Sequence, residues 1–364
     1  MSGQRAYFNI KTQFDNVGDA LIIRELIRLA SDRAMTEVYL ERAPESFRRT
    51  LDIAGRPNVE VHDKGGFGAL ILNMLGARLR GIRCYYFLIP GGLNGDKSVK
   101  QFASGLVSLA VIALLALVGV RICQTGFSIE RIGPRHARLL RWRSKVLYCV
   151  GIRDRISQAY AEDLGIRTTH LVTDLALNLF AENPTVAPDP RGAIGFSFRT
   201  DKDPAIRDRL TGLAEEVCAR TAPGTRFRCI AQVGRDLPYM SELAERLEKR
   251  HPGQVDLVDA HEDISAAIAA YEPCQALLSN RLHGLLLGLR AGASPVALVV
   301  EELDHKIRGV FESIGLGDHV CDLASSSATD LDPLMTPLRF DGTAPAGRLK
   351  ALFDELLGPK AQGE

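Results

Sequence analysis

The stretch ALLSNRLHGLLLGLRAGASPVALVV, residues 276–300, decides the fold. Ala276–Ser279 is short and apolar, as a strand covered on both faces would be. Leu282–Arg290 repeats leucine at helical spacing. Pro295–Val300 returns to a strand. Strand, helix and strand in so short a run make a parallel unit with a helical crossover. The same alternation extends outward in both directions. Towards the N-terminus lie strand candidates Ala193–Phe198, Phe227–Gln232 and Val255–Val258. Helix candidates are Ala205–Ala219, Pro238–Arg250 and Ile264–Ala270, with His305–Ile314 beyond the quoted stretch.

A similar series occupies the first half. Its strand candidates are Ala6–Ile10, Glu37–Leu40, Val59–His62, Tyr85–Ile89, Val120–Gln124, Val146–Gly151 and His170–Thr173. Its helix candidates are Asp19–Ala30, Ser98–Leu117, Pro134–Arg143 and Ile156–Leu164. Between the halves, residues 181–192 carry three prolines and read as a linker. The expected fold class is therefore α/β, with two Rossmann-like, doubly wound domains facing each other across a cleft. In such sheets ligands sit beyond the carboxyl ends of strands, so functional residues should open the helices.

The chain has 364 residues, 46% of them hydrophobic and 24% charged, with a net charge of +1. This length fits two domains, and the composition excludes a disordered or fibrous chain. The neutral balance argues against a generally basic nucleic-acid binder. Seven cysteines, none in C-x-x-C spacing, argue against a disulfide scaffold or a cysteine zinc site. A reducing, cytoplasmic setting fits them, and the opening residues lack the apolar core of a secretion signal. Leu106–Val120 is almost wholly apolar. It is expected to be a buried helix running into a central strand, with an interfacial membrane helix as the alternative.

Several standard readings lose their support. No G-x-G-x-x-G follows a strand: Gly66-Phe67-Gly68 lacks the third glycine. Gly95-Asp96-Lys97-Ser98 lacks the glycine–lysine pair of a P-loop. H-E-x-x-H and G-x-S-x-G are absent.

Four segments stand where strands end: Asp15–Asp19, Pro90–Asp96, Gly151–Ser157 with Thr173–Ala176, and Ser279–Gly284. The last places Arg281 and His283 at a helix start. Unpaired N–H groups and the helix dipole favour an anion there. Arginine grips phosphate or carboxylate in a fork, and histidine can donate a proton near neutral pH. Plainer roles are open for each: an ion pair for Arg281 and a cap for His283, capping by Asp15, Asn16 or Asp19, a turn at Gly18 or Gly91-Gly92, and an ion pair between Arg153 and Asp174.

Taken together, Asn16-Val17-Gly18-Asp19, Pro90-Gly91-Gly92, Arg153-Asp154 with Ser157, Thr173-Asp174-Leu175-Ala176, Ser279-Asn280-Arg281-Leu282-His283-Gly284 and Asp304-His305-Lys306 resemble the polysaccharide pyruvyl transferases. The likeness runs from about residue 6 to about 320. Gln232, Asp236 and Arg199 also fit that family. Leu93 stands where the family usually has a third glycine, and Leu175 where it usually has proline.

The resemblance implies a glycosyltransferase-B-like pair of Rossmann-type domains. Residues 1–185 would form the acceptor side, 190–345 the donor side, and 346–364 a C-terminal helix and tail. It implies transfer of the pyruvyl unit of phosphoenolpyruvate to a sugar of a polysaccharide or lipid-linked repeat unit, as a ketal, with release of phosphate. His283 is then the acid, Asp19 the base and Arg281 the anion anchor. Asn16, Gly18, Gly91, Gly92, Arg153, Arg199, Ser279, Asn280, Leu282 and Lys306 would line the substrates. No metal or cofactor is expected, and no nucleic-acid partner. Peripheral attachment at the inner face of the cell membrane is compatible with a lipid-linked acceptor. The alternatives are a nucleotide-sugar-dependent glycosyltransferase of the same shape and a non-catalytic glycan-binding relative.

Overall fold

The structure is a computed structural model that describes residues 3–183, 185–186, 192–200, 203–261, 263–300 and 304–359. The prolines of the expected linker, at 184, 188 and 190, lie outside the described residues, as do residues 360–364 of the expected tail. The chain forms two compact units. The first comprises residues 1–13, 21–178 and 345–364, and the second 14–20 and 179–344. Two segments therefore depart from a simple division at 185–190 and 345. Residues 14–20 go with the second unit, and the last helix goes with the first.

The first unit contains β1 (Gln4–Asn9), most of α1 (Val17–Ser31), β2 (Met35–Tyr39), α2 (Glu45–Leu51), β3 (Val59–His62), α3 (Gly66–Leu79), β4 (Arg83–Leu88), β5 (Gly92–Gly95), α4 (Val99–Leu117), β6 (Arg121–Ile132), α5 (Pro134–Val146), β7 (Cys149–Ile152), α6 (Arg155–Asp163) and β8 (His170–Leu171). The main sheet runs β3-β2-β1-β4-β6-β7-β8, and β5 pairs with the far half of β6. Every pairing is parallel. Alternation along β4 shows both faces covered. Tyr86 joins the apolar cluster of α3 to α6, while Phe87, on the opposite face, stacks on Phe353 at 5.7 Å.

The second unit contains β9 (Thr185–Val186), β10 (Ala193–Ser197), α7 (Pro204–Arg220), β11 (Arg226–Ala231), α8 (Leu237–Arg250), β12 (Val255–Asp259), α9 (Ile264–Tyr271), β13 (Cys274–Ser279), α10 (Leu282–Ala291), β14 (Ser294–Val299), α11 (His305–Ser313), β15 (Val320–Asp322), α12 (Ala328–Leu331) and β16 (Phe340–Asp341). Its sheet runs β12-β11-β10-β13-β14-β15, all parallel. The order turns back between β10 and β13, which opens a crevice at their carboxyl ends. α13 (Thr343–Leu357) closes the described chain and buries Leu349, Leu352, Phe353 and Leu356.

Three expectations need correction. Leu106–Val120 is not a buried helix: of α4 only Ile112 and Leu115 are buried, while Val107, Leu114 and Leu117 stand open. One side of α4 packs on the sheet and on α5, where Gly105 leaves room for Leu139. An uncharged run fixes apolarity, and only the packing decides how many sides are covered. Second, the strand after α4 starts after a left-handed Gly119 (φ 84°) and continues to Ile132, well past Gln124. A left-handed Gly126 (φ 72°) shifts its register against β7 mid-way, and on its other edge the strand pairs first with β4 and then with β5. Third, Gly66-Phe67-Gly68 opens α3, which the alternation had passed over.

Candidate functional site

The carboxyl ends of β10, β11 and β13 gather most of the expected site residues in the second unit. Arg281 is the N-cap of α10, in extended conformation, and its own side chain makes no capping hydrogen bond. A helix start presents N–H donors and a partial positive charge. Two side chains hold the turn. Ser279 Oγ donates to the Ser197 carbonyl at 2.5 Å and accepts from the Arg281 N–H at 3.0 Å. The Asn280 carboxamide accepts from the Arg199 N–H at 2.6 Å and donates to its carbonyl at 2.8 Å. Ser279 and Asn280 therefore fix the ends of β10 and β13 to each other across the switch point. Leu282 is buried in the first turn of α10.

Arg281 makes a buried ion pair with Asp236, its Nη2 donating at 2.5 Å to Oδ1. Side-chain exposure is 9% for the arginine and 3% for the aspartate. Asp236 closes the helical turn 234–236 that follows β11. Burial lowers the Arg281 pKa from its ordinary value, and the nearby Arg199 and Arg235 push it the same way, against Asp236. Three guanidinium groups and the Asp236 carboxylate thus act on one another here. Arg281 Nε is buried without a hydrogen-bond partner among the described residues. The expectation of an ion pair and that of an anion anchor are thus compatible: one edge of the fork is taken by Asp236.

His283 lies in the first turn of α10, and the N-x-G-D loop comes to it. Asn16 bridges Val233 through the backbone, and its side-chain oxygen accepts from the Gly18 N–H at 3.0 Å, capping α1. Gly18 has ordinary backbone geometry, so it does not serve a left-handed turn. Its role is proximity: a Cβ there would lie 2.5 Å from His283 Nδ1 and 2.8 Å from its Cβ. Glycine is required because the imidazole occupies that space. Asp19 follows in the first turn of α1, within the same unit. Gly284 makes a second close approach, its added Cβ meeting Gln232 Oε1 at 2.9 Å and Tyr271 Oη at 3.4 Å. Lys306 sits in the first turn of α11, after β14.

Gly91, Gly92 and Arg153 assemble separately in the first unit, around Ser128 of β6. The Gly91 carbonyl accepts from the Ser128 N–H at 3.2 Å. Gly91 is left-handed at φ 140°. A Cβ at Gly92 would lie 3.7 Å from Ser128 Oγ and 3.5 Å from Glu130 Oε1. Arg153 Nη2 donates to Ser128 Oγ at 2.8 Å, and Nη1 pairs with Asp174 at 2.5 Å. Both side chains are 2% exposed or less. Asp174 also accepts from the Ala176 N–H at 2.9 Å. Here the ion-pair reading of Arg153 is the observed arrangement. Asp154 caps α6 through the Ser157 N–H at 2.7 Å, and burial raises its pKa.

The residue reading missed Arg235, Tyr271, Ser128 and Glu130. Polar residues at alternate places in β6, Ser128 and Glu130, were a usable signal once the strand is known to continue. Nothing in the sequence marks Tyr271, which α9 brings in from a distance.

The chain belongs to the polysaccharide pyruvyl transferase family, whose sequence model matches residues 16–302. No curated protein matches it. Among solved structures it is similar to a putative UDP-N-acetylglucosamine 2-epimerase from Listeria monocytogenes, at 10% identity over 98% of this chain and 97% of that one, TM-score 0.57. It is also similar to the UDP-GlcNAc 2-epimerase from Methanocaldococcus jannaschii, at 8% identity over 97% and 99%, TM-score 0.56. A third is Anabaena HepE in complex with UDP, at 14% identity over 97% and 95%, TM-score 0.54. At such identities the likeness shows the fold alone: two Rossmann-like units of the glycosyltransferase-B type.

Proposed function

We propose that this member of the polysaccharide pyruvyl transferase family moves the pyruvyl unit of phosphoenolpyruvate onto a sugar as a ketal and releases phosphate. The observation that carries the reading is the second-unit site, where Arg281, acted on by Arg199 and Arg235, opens α10 beside His283. Phosphoenolpyruvate carries a carboxylate and a phosphate, and both suit guanidinium groups and helix N–H donors. Asp236 holds one side of the Arg281 fork and so fixes its plane. Gly18, in the turn capped by Asn16, leaves the space that the His283 imidazole fills.

In this mechanism His283 gives a proton to the methylene carbon of the enol phosphate, leaving an oxocarbenium-like centre at C2. A sugar hydroxyl adds there and yields its proton to Asp19. Phosphate departs with the electron pair of its bond to C2. A second hydroxyl of the same sugar adds in its place and closes the ketal, giving its proton to the now neutral His283, which restores the acid. Arg199, Arg281 and Lys306 balance the anionic charge throughout. The sugar stands in a polysaccharide or a lipid-linked repeat unit.

The rival is a nucleotide-sugar-dependent glycosyltransferase of the same two-domain shape. Its diphosphate would seek the same cations. Incubation with phosphoenolpyruvate and a panel of sugar acceptors, following phosphate release, tests the proposal. Phosphate release that depends on acceptor supports it. Turnover of UDP-sugars with none of phosphoenolpyruvate would replace it with the rival.

A further inference from the structure

The exposed sides of α3 and α4 in the first unit form an apolar patch, to which α5 adds one exposed tryptophan. α4 is about 28 Å long at 1.5 Å per residue, carries one charge, at Lys100, and is long and apolar enough to cross a membrane. Yet it links β5 to β6, and Ile112, Leu115 and Gly105 hold it to the sheet and to α5. Its far side is bare: Leu117 is 82% exposed, Val107 67% and Leu114 63%. The end of α3 extends this patch. Arg78 Nε donates to the Val118 carbonyl at 3.3 Å, and the next residue, Leu79, is 90% exposed. On α5, Trp142 is exposed and contacts Phe102 of α4 at 6.4 Å.

Charge around this face is one-sided. Residues 66–148 hold twelve lysines and arginines but two acids, Asp96 and Glu130, and the second of these is buried. Arg80, Arg83, Lys100, Arg135, Arg138, Arg141 and Lys145 are exposed. An apolar helix side with a cationic surround is the pattern of a surface lying in the headgroup region of an anionic bilayer. A second copy of this chain is a poor occupant. A two-fold contact brings the same patch from both copies together, so the basic surrounds would face each other. A span is also a poor fit, because withdrawing α4 would strip the crossover from the sheet.

We propose that the first unit docks peripherally on anionic phospholipid, with the exposed sides of α3 and α4 in the interface and basic residues of α3 to α5 against the headgroups. This does not rest on the reaction assigned above. It would bring the protein to a surface where a lipid-linked sugar resides.

The test is flotation of the purified full chain, without detergent, on vesicles of phosphatidylcholine alone or mixed with phosphatidylglycerol. The wild type should float with the mixed vesicles, less so at high salt, and poorly with phosphatidylcholine alone. Leu114→Glu/Leu117→Glu, and separately Leu79→Glu, should abolish flotation at unchanged melting temperature. Both alter water-facing positions, and the second keeps the test valid if the first misfolds. Arg138→Glu should weaken binding by roughly fivefold or more, since each basic residue near such a surface contributes about 1 kcal/mol. Absence of flotation, or flotation indifferent to the glutamates, overturns the proposal. So does a dimer that the same glutamates dissociate, or resistance to alkaline carbonate extraction after binding.

Discussion

At the scale of single residues, the site combines close approach with buried charge. His283 occupies the space that a Cβ at Gly18 would need. Gly18→Ala should therefore displace the imidazole and cut turnover strongly, while stability falls by about 1–3 kcal/mol, typical of overpacking. Phosphate release and melting temperature on one preparation separate the two effects. If His283 is the acid, His283→Ala should keep the fold and lose about 10²–10⁴ in turnover. His283→Gln should match it in turnover and bind donor more nearly as the wild type does. A loss of stability alone, with turnover per folded molecule kept, would return His283 to a structural role. Asp236→Ala strands Arg281 as a buried, unpaired cation, a change that costs about 3–5 kcal/mol. Urea unfolding checks this, and Arg281→Met together with Asp236→Leu should regain much of the loss. These residues were legible as types and positions. Their pairings were not, because Asp236 and Arg281 lie 45 residues apart and meet only in the sheet.

Among the elements, most helices and strands follow from period and punctuation. Val59–His62 is a strand with the expected limits, and Ser98 caps α4 in a capping box with Gln101. Ser98→Ala should fray the first turn of α4 and cost about 1 kcal/mol, seen as faster amide exchange at residues 99–101. α5 adds a pH-sensitive element. His136 is buried, its Nδ1 3.0 Å from the Gly95 carbonyl, and burial lowers its pKa below 6.5. A histidine with a lowered folded pKa contributes stability that is present above its unfolded value and is lost as pH falls. Stability of the first unit should thus decline from pH 6.5 downward to the lowered value, and His136→Gln should flatten that part of the curve. A melting series from pH 7.5 to 5 would show it, and an unchanged slope in the variant would refute it. Elements were misjudged where one local rule covered two outcomes. An uncharged helix is either core or surface, and a strand with an inner glycine either ends or bulges.

For the molecule as a whole, neither unit is a continuous piece of chain. α13 returns to the first unit, where Phe353 stacks on Phe87, Asp354 pairs with Arg33 at 2.8 Å, and the Leu357 carbonyl accepts from Gln4. Removing residues 343–364 should unfold the first unit and leave the second cooperative. Calorimetry should then show one of two transitions lost, and exchange should rise in β1 and β4 but not in β10 and β13. The sequence by itself determined the parallel α/β class, the two series of crossover units and the helix start bearing Arg281 and His283. Each of these rests on near neighbours in the chain: side-chain period, caps and glycine breaks. Only the tertiary structure decided that the Asn16–Asp19 loop serves the second unit, that Arg235 and Tyr271 join the site, and that α4 keeps a bare apolar side. Those outcomes depend on contacts between residues far apart in the chain, set by how strands order in a sheet and how much of each helix that sheet covers.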